Sequence, residues 1–269
     1  MKILSLFDWI SCWYEALLRA WIPVDAYYAS EIDKYAIQIA KKNHPDIIEV
    51  WDVTQIKWED YKDIDIIMWW SPCQWFSFAW KQLAFDDPRS KLFFEFVRIL
   101  REIKPKYFLL ENVKMKKEFQ NVISNELRTE PIEIDSSLLS AQVRKRLYWT
   151  NIPGVTQPED KWILLKDILE PDVDLNIHVV WNQYNHRIFT DKSWTLWTCM
   201  WRTNKQWMWI YLWSVCPENF VRKLTPVECE RLQTLPDNYT EWISNVQRYK
   251  TIWNWRTVDV IAFILQHIK

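Results

Sequence analysis

The chain has 269 residues, with 34 basic and 35 acidic side chains, and 49% of its residues are hydrophobic. This length fits one large domain or a domain with a small insert, and the balanced charge excludes an overall basic surface. No apolar run reaches the roughly 18 residues of a membrane span, and the N-terminal run is too short for a signal peptide. The five cysteines form no C-x-x-C pair, which argues against a disulfide framework and a zinc site. We expect a reduced, cytoplasmic protein without a bound metal.

Short apolar runs alternate with amphipathic segments along the first half of the chain. The sequence predicts strands at 2–7, 24–30, 47–50, 64–68 and 107–111, and helices at 14–20, 33–43 and 91–103. The alternation fails from 153 to 220, and helices return at 224–235, starting with Thr225 and Pro226, and at 257–268. This pattern predicts an α/β fold with a doubly wound, mostly parallel sheet. We divide it into a catalytic domain at 1–152, a small lobe at 153–221 and a segment at 222–269 that returns to the catalytic domain.

Polar side chains that could carry chemistry come directly after the predicted strands. They are Asp8, Glu31, Asp52, Cys73 and Glu111. Ligands of such sheets bind at the carboxyl ends of the strands, so one edge collects these groups. Glu31 is placed to accept hydrogen bonds from ribose hydroxyls, and Asp52 is placed to accept one from an adenine amino group. Each acid by itself is equally typical of a helix cap. Together with the turn at 7–13 they indicate an adenosyl-type cofactor.

Cys73 follows Pro72 in a turn at this edge. A lone cysteine is most often a small buried side chain, and its thiolate acts as a nucleophile only when the pKa is lowered or a base is near. Glu111 could hydrogen-bond to a ring nitrogen, and Arg144 and Arg146 could contact a carbonyl oxygen or a phosphate. A nucleophile that attacks a pyrimidine needs this combination, which favours the functional interpretation of Cys73.

The chain has 21 tryptophans and a single glycine, Gly154. Average glycine usage of about 7% predicts about 19 glycines, and many of the tryptophans stand in turn-like contexts that suit glycine. One interpretation is a genuinely tryptophan-rich protein, such as a carbohydrate binder with exposed rings. We favour a second one, in which the source reads as glycine a codon, UGA, that has been translated as tryptophan. Positive φ angles are then expected at Trp9 and Trp13, whose rings would also occupy cofactor space.

Six motifs occur in the order seen in DNA cytosine-5 methyltransferases. They are Phe7-Asp8, Ser71-Pro72-Cys73-Gln74, Glu111-Asn112-Val113, Gln142-x-Arg144-x-Arg146, Leu224-Thr225-Pro226-x-Glu228-Cys229-x-Arg231-Leu232-Gln233 and Asn254. The chain resembles this family over nearly its whole length, and its pattern is most similar to the catalytic domain of the animal de novo enzymes and their small phage and bacterial relatives. Tryptophans stand at glycine places of the family motifs, namely Trp9, Trp13, Trp69, Trp70, Trp253 and Trp255. Trp149 fits the family as an aromatic residue.

The resemblance implies a class I, Rossmann-like methyltransferase that uses S-adenosylmethionine. Cys73 would add to carbon 6 of a cytosine in duplex DNA, after the base has left the helix, so that carbon 5 accepts the methyl group. Glu111 would hold nitrogen 3 and the exocyclic amine, and Arg144 and Arg146 would orient the base and Glu111. The cofactor pocket would be lined by Phe7, Asp8, Trp9, Glu31, Ile32, Asp52, Val53, Pro72, Leu92 and Asn254.

Two segments are expected to contact DNA. The first is a mobile loop over the flipped base, with Gln74, Lys81 and Arg89. The second is the small target-recognition lobe, whose candidate contacts are Lys192, Arg202, Asn204 and Lys205, although an ordinary solvated loop would look similar. A restriction–modification system with a cognate endonuclease is the expected context. Methylation of tRNA and a catalytically inactive DNA-binding or scaffold homologue are the alternatives.

Overall fold

The structure is a computed structural model that describes residues 1–70, 88–170, 177–180, 193–194, 209–212, 220–222, 224–253 and 256–268. For 88–91 and for the four short ranges between 177 and 222, it describes the secondary structure alone. The chain divides into two compact units. The first comprises residues 1–134, 145–157 and 260–269, and the second comprises 135–144 and 158–259. This division differs from the sequence division in placing residues 135–144 and 222–259 with the second unit and residues 153–157 with the first.

The described elements are strands, helices and four single-turn 3-10 helices. The strands are β1 Lys2–Leu6, β2 Ala26–Ser30, β3 Ile48–Glu49, β4 Ile66–Trp70, β5 Tyr107–Val113, β6 Ile132–Asp135, β7 Gln142–Val143, β8 Lys145–Thr150, β9 Ile177–Val180, β10 Ser193–Trp194, β11 Trp209–Leu212 and β12 Phe220–Arg222. The α-helices are α1 Cys12–Arg19, α2 Lys34–Asn43, α3 Pro88–Ile103, α4 Lys117–Leu127, α5 Pro226–Leu232, α6 Asn245–Trp253 and α7 Val258–Leu265. The 3-10 helices are Val53–Gln55, Trp58–Tyr61, Ser136–Leu138 and Leu165–Ile168.

Seven strands form one sheet in the order β3-β2-β1-β4-β5-β8-β6. The pairs β2·β3, β1·β2, β1·β4 and β4·β5 are parallel, whereas β5·β8 is antiparallel. The predicted α/β fold with a mostly parallel sheet is confirmed. The antiparallel strand follows the parallel ones, so the carboxyl ends of β1 to β5 share one edge.

Helices cover both faces of this sheet. Successive side chains of a strand point to opposite faces, so the register shows which face each helix contacts. Leu6 and Trp69 are partners in register, and the ring of Trp69 stacks on Phe96 of α3 at 4.7 Å. On the opposite face, Tyr27 of β2 lies beside the odd-numbered residues of β1, and its ring is 4.9 Å from Tyr14 of α1. The sheet is therefore doubly wound.

Side-chain caps begin two of the predicted helices. The carboxylate of Asp33 accepts hydrogen bonds from the backbone amides of Tyr35 and Ala36 at the start of α2. Thr225 and Glu228 form a capping box at the start of α5, with Pro226 at the first helical position. The predicted start of this helix at Thr225 and Pro226 is confirmed.

The second unit contains two small sheets and a buried ionic network. Strands β12-β11-β9 form an antiparallel sheet, and β10 pairs in parallel with β7. A buried carboxylate, Glu230, is 3.0 Å from Arg248 and accepts hydrogen bonds from Thr240, which joins α5 to α6 within this unit. In the described part of the chain, no helix combines the length and the apolar character needed to cross a membrane.

Among the described residues, four tryptophans have the left-handed backbone conformation that favours glycine. Their φ angles are 58° at Trp9, 57° at Trp21, 57° at Trp51 and 55° at Trp162. The expectation for Trp9 agrees with this geometry. The expectation for Trp13 is wrong, because this residue lies in the first turn of α1 with its ring buried.

Candidate active site

Hydrogen bonds join the three loops that follow β1, β2 and β3. The backbone amide of Asp8 donates to the carbonyl of Ser30 at 3.1 Å, and the Ser30 hydroxyl donates to the carbonyl of Trp51 at 2.7 Å. The amide of Trp9 donates to Oε2 of Glu31 at 2.8 Å. These bonds hold the acidic residues after β1, β2 and β3 at one edge of the sheet.

Asp8 is buried, and its carboxylate faces three hydroxyl groups. Ser5 and Tyr27 donate to Oδ1, and Ser11 donates to Oδ2. These three hydrogen bonds satisfy the buried carboxylate and fix the turn between β1 and α1. A ligand at this edge would meet the backbone of Asp8 rather than its carboxylate.

Glu31 accepts three hydrogen bonds from backbone amides, those of Trp9, Ile32 and Asp33. Burial raises the pKa of Glu31, although the three amides act in the opposite direction. A carboxylate has about four acceptor positions, so about one remains free in this conformation.

The other candidate cofactor residues differ in what they offer a ligand. Oδ1 of Asp52 accepts from both the amide and the hydroxyl of Thr54, at 2.9 Å each, so Asp52 caps the short helix Val53–Gln55 through this one oxygen. Val53 belongs to the hydrophobic core and Leu92 packs against it, whereas the Ile32 side chain is exposed. Phe7 has a φ of 56° and lies 6.2 Å from the ring of Trp69.

An ion pair lies at the carboxyl end of β5. Nε of Arg146 is 3.3 Å from Oε1 of Glu111, whose side chain is 1% exposed, and the Arg146 side chain is 13% exposed. The register of β5 with β8 creates this pair, because Val113 lies opposite Arg146 and Glu111 opposite Tyr148. A buried carboxyl group with one edge held by a cation can hydrogen-bond to the ring nitrogen and the amine of a pyrimidine.

Arg144 belongs to the second compact unit, between β7 and β8. Its side chain is buried, and its backbone amide donates to Oδ1 of Asp135 at 2.9 Å. Arg89 lies in α3, with its side chain outside the described part. The remaining predicted site residues lie outside the described residues: Pro72, Cys73, Gln74, Lys81, Lys192, Arg202, Asn204, Lys205 and Asn254.

Sequence reasoning missed two groups near this edge. Ser5 is the hydroxyl in the middle of β1 that binds Asp8, and Glu49 is a carboxyl group on β3. A single polar residue inside an apolar run was the available signal for both.

The comparisons with known proteins were consistent with this geometry. The family model described as C-5 cytosine-specific DNA methylase matches residues 1–208 and 181–269. The chain belongs to this family. It is accordingly a DNA cytosine-5 methyltransferase, with S-adenosylmethionine as its methyl donor.

Curated relatives and solved structures match over most of the chain. The type II methyltransferase M.NlaX of Neisseria lactamica is 32% identical over 100% of this chain and 96% of its own length. M1.ScrFI of Lactococcus lactis subsp. cremoris is also 32% identical, over 90% of this chain and 72% of its own. The structure of S. pombe Dnmt2 superposes with a TM-score of 0.69 at 21% identity, over 98% and 96% of the two chains. Entamoeba histolytica EhMeth gives 0.72 at 16% identity, over 99% and 97%. These structures share the fold.

Proposed function

We propose that this methyltransferase acts on cytosine in duplex DNA through a covalent bond between Cys73 and a base that has left the helix. The ion pair of Glu111 and Arg146 at the end of β5 supports this proposal most directly. It places a buried carboxyl group on the strand next to β4, and Cys73 follows β4 by three residues.

In the proposed reaction, the thiolate of Cys73 forms a bond to carbon 6, and the ring electrons move towards carbon 5. S-adenosylmethionine supplies a methyl group on a positively charged sulfur, which carbon 5 takes as the carbon–sulfur bond breaks. Carbon 5 then loses its proton to solvent. The electrons of that bond restore the double bond between carbons 5 and 6, and Cys73 leaves as a thiolate. Glu111 holds nitrogen 3 and the exocyclic amine during these steps, and Arg146 holds Glu111 and the base oxygen. Arg144 is proposed to orient the base.

The cofactor is proposed to bind at the edge formed by the loops after β1, β2 and β3. The free acceptor position of Glu31 suits a ribose hydroxyl, and Oδ2 of Asp52 suits an adenine amino group. The acidic residues of this edge suit a ligand with a positive charge. Phe7, Ile32, Leu92 and the backbones of Asp8 and Val53 complete the proposed pocket, with Pro72 and Asn254. The indoles of Trp9 and Trp70 lie 6.1 Å apart at the same edge and do not suit a close approach of cofactor to backbone.

We infer that the native protein has glycine in place of every tryptophan except Trp149. Trp21, Trp51 and Trp162 have a left-handed backbone and are 91%, 59% and 76% exposed as residues, so neither the backbone nor packing favours tryptophan there. The left-handed conformation costs a residue with a Cβ roughly 1–2 kcal/mol. Trp149 differs, because its buried indole N–H donates to the hydroxyl of Ser124 at 3.0 Å.

Mass spectrometry of peptides from the native protein tests this proposal. We expect glycine masses at positions 9, 21 and 70, and a tryptophan mass at position 149, which serves as the internal control. A tryptophan mass at position 9 contradicts the proposal. From the order of the motifs, we also propose a resemblance of the glycine form to the animal de novo enzymes and their small phage and bacterial relatives.

Bisulfite sequencing tests the function in a host that expresses the glycine form. We expect methylated cytosines within one short sequence context in DNA, and none with the Cys73→Ser variant. Methylation of tRNA without methylation of DNA would contradict the proposed substrate. A cognate restriction endonuclease is the proposed partner, and protection of the methylated DNA from that enzyme is its test.

A further inference from the structure

Glu49 lies on the same face of the sheet as residues at paired positions of β2 and β1, next to the proposed cofactor edge. The register pairs Glu49 of β3 with Ala29 of β2, and Ala29 with Ser5 of β1. Side chains at paired positions share one face of a sheet, which here is the face covered by α1. The hydroxyl of Ser5 in turn donates to Asp8. The carboxyl group of Glu49 is thereby directed to the same side of the sheet as Asp8.

Glu49 differs from Asp8 and Glu31 in having no hydrogen-bond donor among the described residues. Both of its carboxyl oxygens are buried from solvent, and neither has a hydrogen-bond partner in the part of the chain that the structure describes. Asp8 and Glu31 each accept three hydrogen bonds. A buried carboxylate without donors is costly, so Glu49 either keeps its proton or meets a cation.

The electrostatic surroundings of Glu49 make its charge sensitive to such a cation. Burial raises the pKa of Glu49 to about 7, with Asp8 and Glu31 adding to the shift and the exposed Lys41 of α2 opposing it. Tyr14 and His44, two further titratable groups on this face, both stay neutral near pH 7. Burial raises the pKa of Tyr14 to about 12, and burial lowers the pKa of His44 to about 4, where Asp46 opposes the shift.

We propose that Glu49 is a specificity residue of the cofactor site, which favours the cationic methyl donor over the uncharged sulfur of the product, S-adenosylhomocysteine. This proposal rests on the cofactor site proposed above. A positive charge near a buried carboxyl group favours the carboxylate, and by linkage the loss of the Glu49 proton strengthens binding of the cation. Methyl transfer removes the sulfur charge. Glu49 then takes a proton from water, and the product is held less tightly than the donor.

Titration calorimetry with the full chain in its glycine form tests the proposal. S-adenosylmethionine and S-adenosylhomocysteine are each bound at several values from about pH 6 to about pH 8.5, in two buffers of different ionisation enthalpy. A coupling of one pKa unit corresponds to a factor of ten. We therefore expect the ratio of donor affinity to product affinity to rise about tenfold across this range, with release of a fraction of a proton on donor binding.

Glu49→Gln is the decisive variant, since it keeps the size of the side chain and removes the titration. The ligand amino group, with an ordinary pKa of about 7.7–8.0, titrates equally with both proteins and cancels in the comparison. The ratio of affinities should change with pH less in Glu49→Gln than in the unchanged protein. Equal pH dependence in the two proteins overturns the proposal for Glu49 alone. Absence of donor binding at every pH overturns the cofactor site and this proposal together.

Lys41→Gln gives a second test that leaves Glu49 and the buried residues in place. Lys41 lowers the pKa of Glu49, so its removal should move the midpoint of the pH dependence to a higher value. Lys42→Gln is the matched control, because the substitution removes the same charge from an exposed residue. Lys42 is not among the groups that shift the pKa of Glu49. Equal midpoints for Lys41→Gln and Lys42→Gln count against the proposal.

Discussion

The guanidinium Nε of Arg146 lies 3.3 Å from Oε1 of Glu111, between neighbouring antiparallel strands. The carboxyl group is almost fully buried, and removal of one partner from a buried pair leaves a charge without compensation. We expect Arg146→Ala to lower the free energy of unfolding by about 3–5 kcal/mol and to abolish methyl transfer. Urea unfolding and a methylation assay measure the two effects.

A double variant separates the structural effect of this pair from its chemical effect. Adding Glu111→Gln to Arg146→Ala removes the uncompensated charge, so stability should recover in part while methyl transfer stays absent. Arg101→Ala is the control for loss of an ion pair, because Arg101 contacts Glu126 at 2.6 Å on the surface and should cost no more than about 1 kcal/mol. Equal losses of stability in Arg146→Ala and Arg101→Ala would show that burial does not determine the contribution of the Glu111–Arg146 ion pair to stability.

Cys73→Ser should abolish methyl transfer, because a serine hydroxyl is a much weaker nucleophile than a thiolate. The thiol is proposed to contact the base, so the affinity for S-adenosylmethionine should stay within a few-fold. Calorimetry and a methylation assay on the same preparation provide both values. Comparable turnover by the serine variant would contradict the assigned nucleophile.

Glu31→Ala should weaken binding of S-adenosylmethionine, because a ribose hydroxyl loses its acceptor at a cost of roughly 1–3 kcal/mol. That cost corresponds to a decrease in affinity of about 5- to 150-fold. The variant also removes the acceptor of three backbone amides, so stability should fall as well. Asp33→Ala is the matched control: it removes the cap of α2, at about 0.5–2 kcal/mol of stability, without touching the proposed ribose contact. An unchanged affinity in Glu31→Ala would place the ribose elsewhere.

His44 should make stability depend on pH below neutrality. Burial lowers the pKa of His44 from 6.5 to about 4, so the unfolded chain binds more protons than the folded one between these values. The contribution of His44 to stability is thus complete above about pH 6.5 and is lost as the pH falls towards about 4, by up to about 3 kcal/mol. Urea unfolding of the unchanged protein and of His44→Gln measures the difference. Parallel stability curves for the two proteins would show that His44 does not titrate in this way.

Substitutions in the proposed recognition lobe should separate two kinds of DNA contact. Lys192→Ala and Lys205→Ala should weaken binding to all sequences and lower the salt slope by about one unit each, because they remove phosphate contacts. Arg202→Ala and Asn204→Ala should relax the preference at one base by about 1–3 kcal/mol. Binding measured at several salt concentrations with matched and altered sites checks both expectations. An exchange of this lobe with a relative that leaves the methylation context unchanged would show that the lobe does not read the sequence.

The alternation of apolar runs and amphipathic segments determined the α/β class from the sequence alone. Strand and helix periods are local, so β1, α2, β4 and α3 lie within a few residues of their predicted limits. The ordered motifs, such as Glu111-Asn112-Val113, likewise determined the family before any contact was known. Left-handed backbone at Trp9 follows from the turn that this position forms.

The tertiary structure decided which polar groups of the site are already engaged. The sequence places Asp8, Glu31 and Glu49 far apart. It does not show that Ser5, Ser11 and Tyr27 donate to Asp8, or that Glu49 has no donor among the residues described by the structure. These outcomes depend on the register between β1, β2 and β3, which pairs residues 20 or more positions apart. The pairing of Glu111 with Arg146 has the same origin in the β5·β8 register. A local pattern cannot fix which side chains meet across strands, because that is settled by packing of the whole sheet.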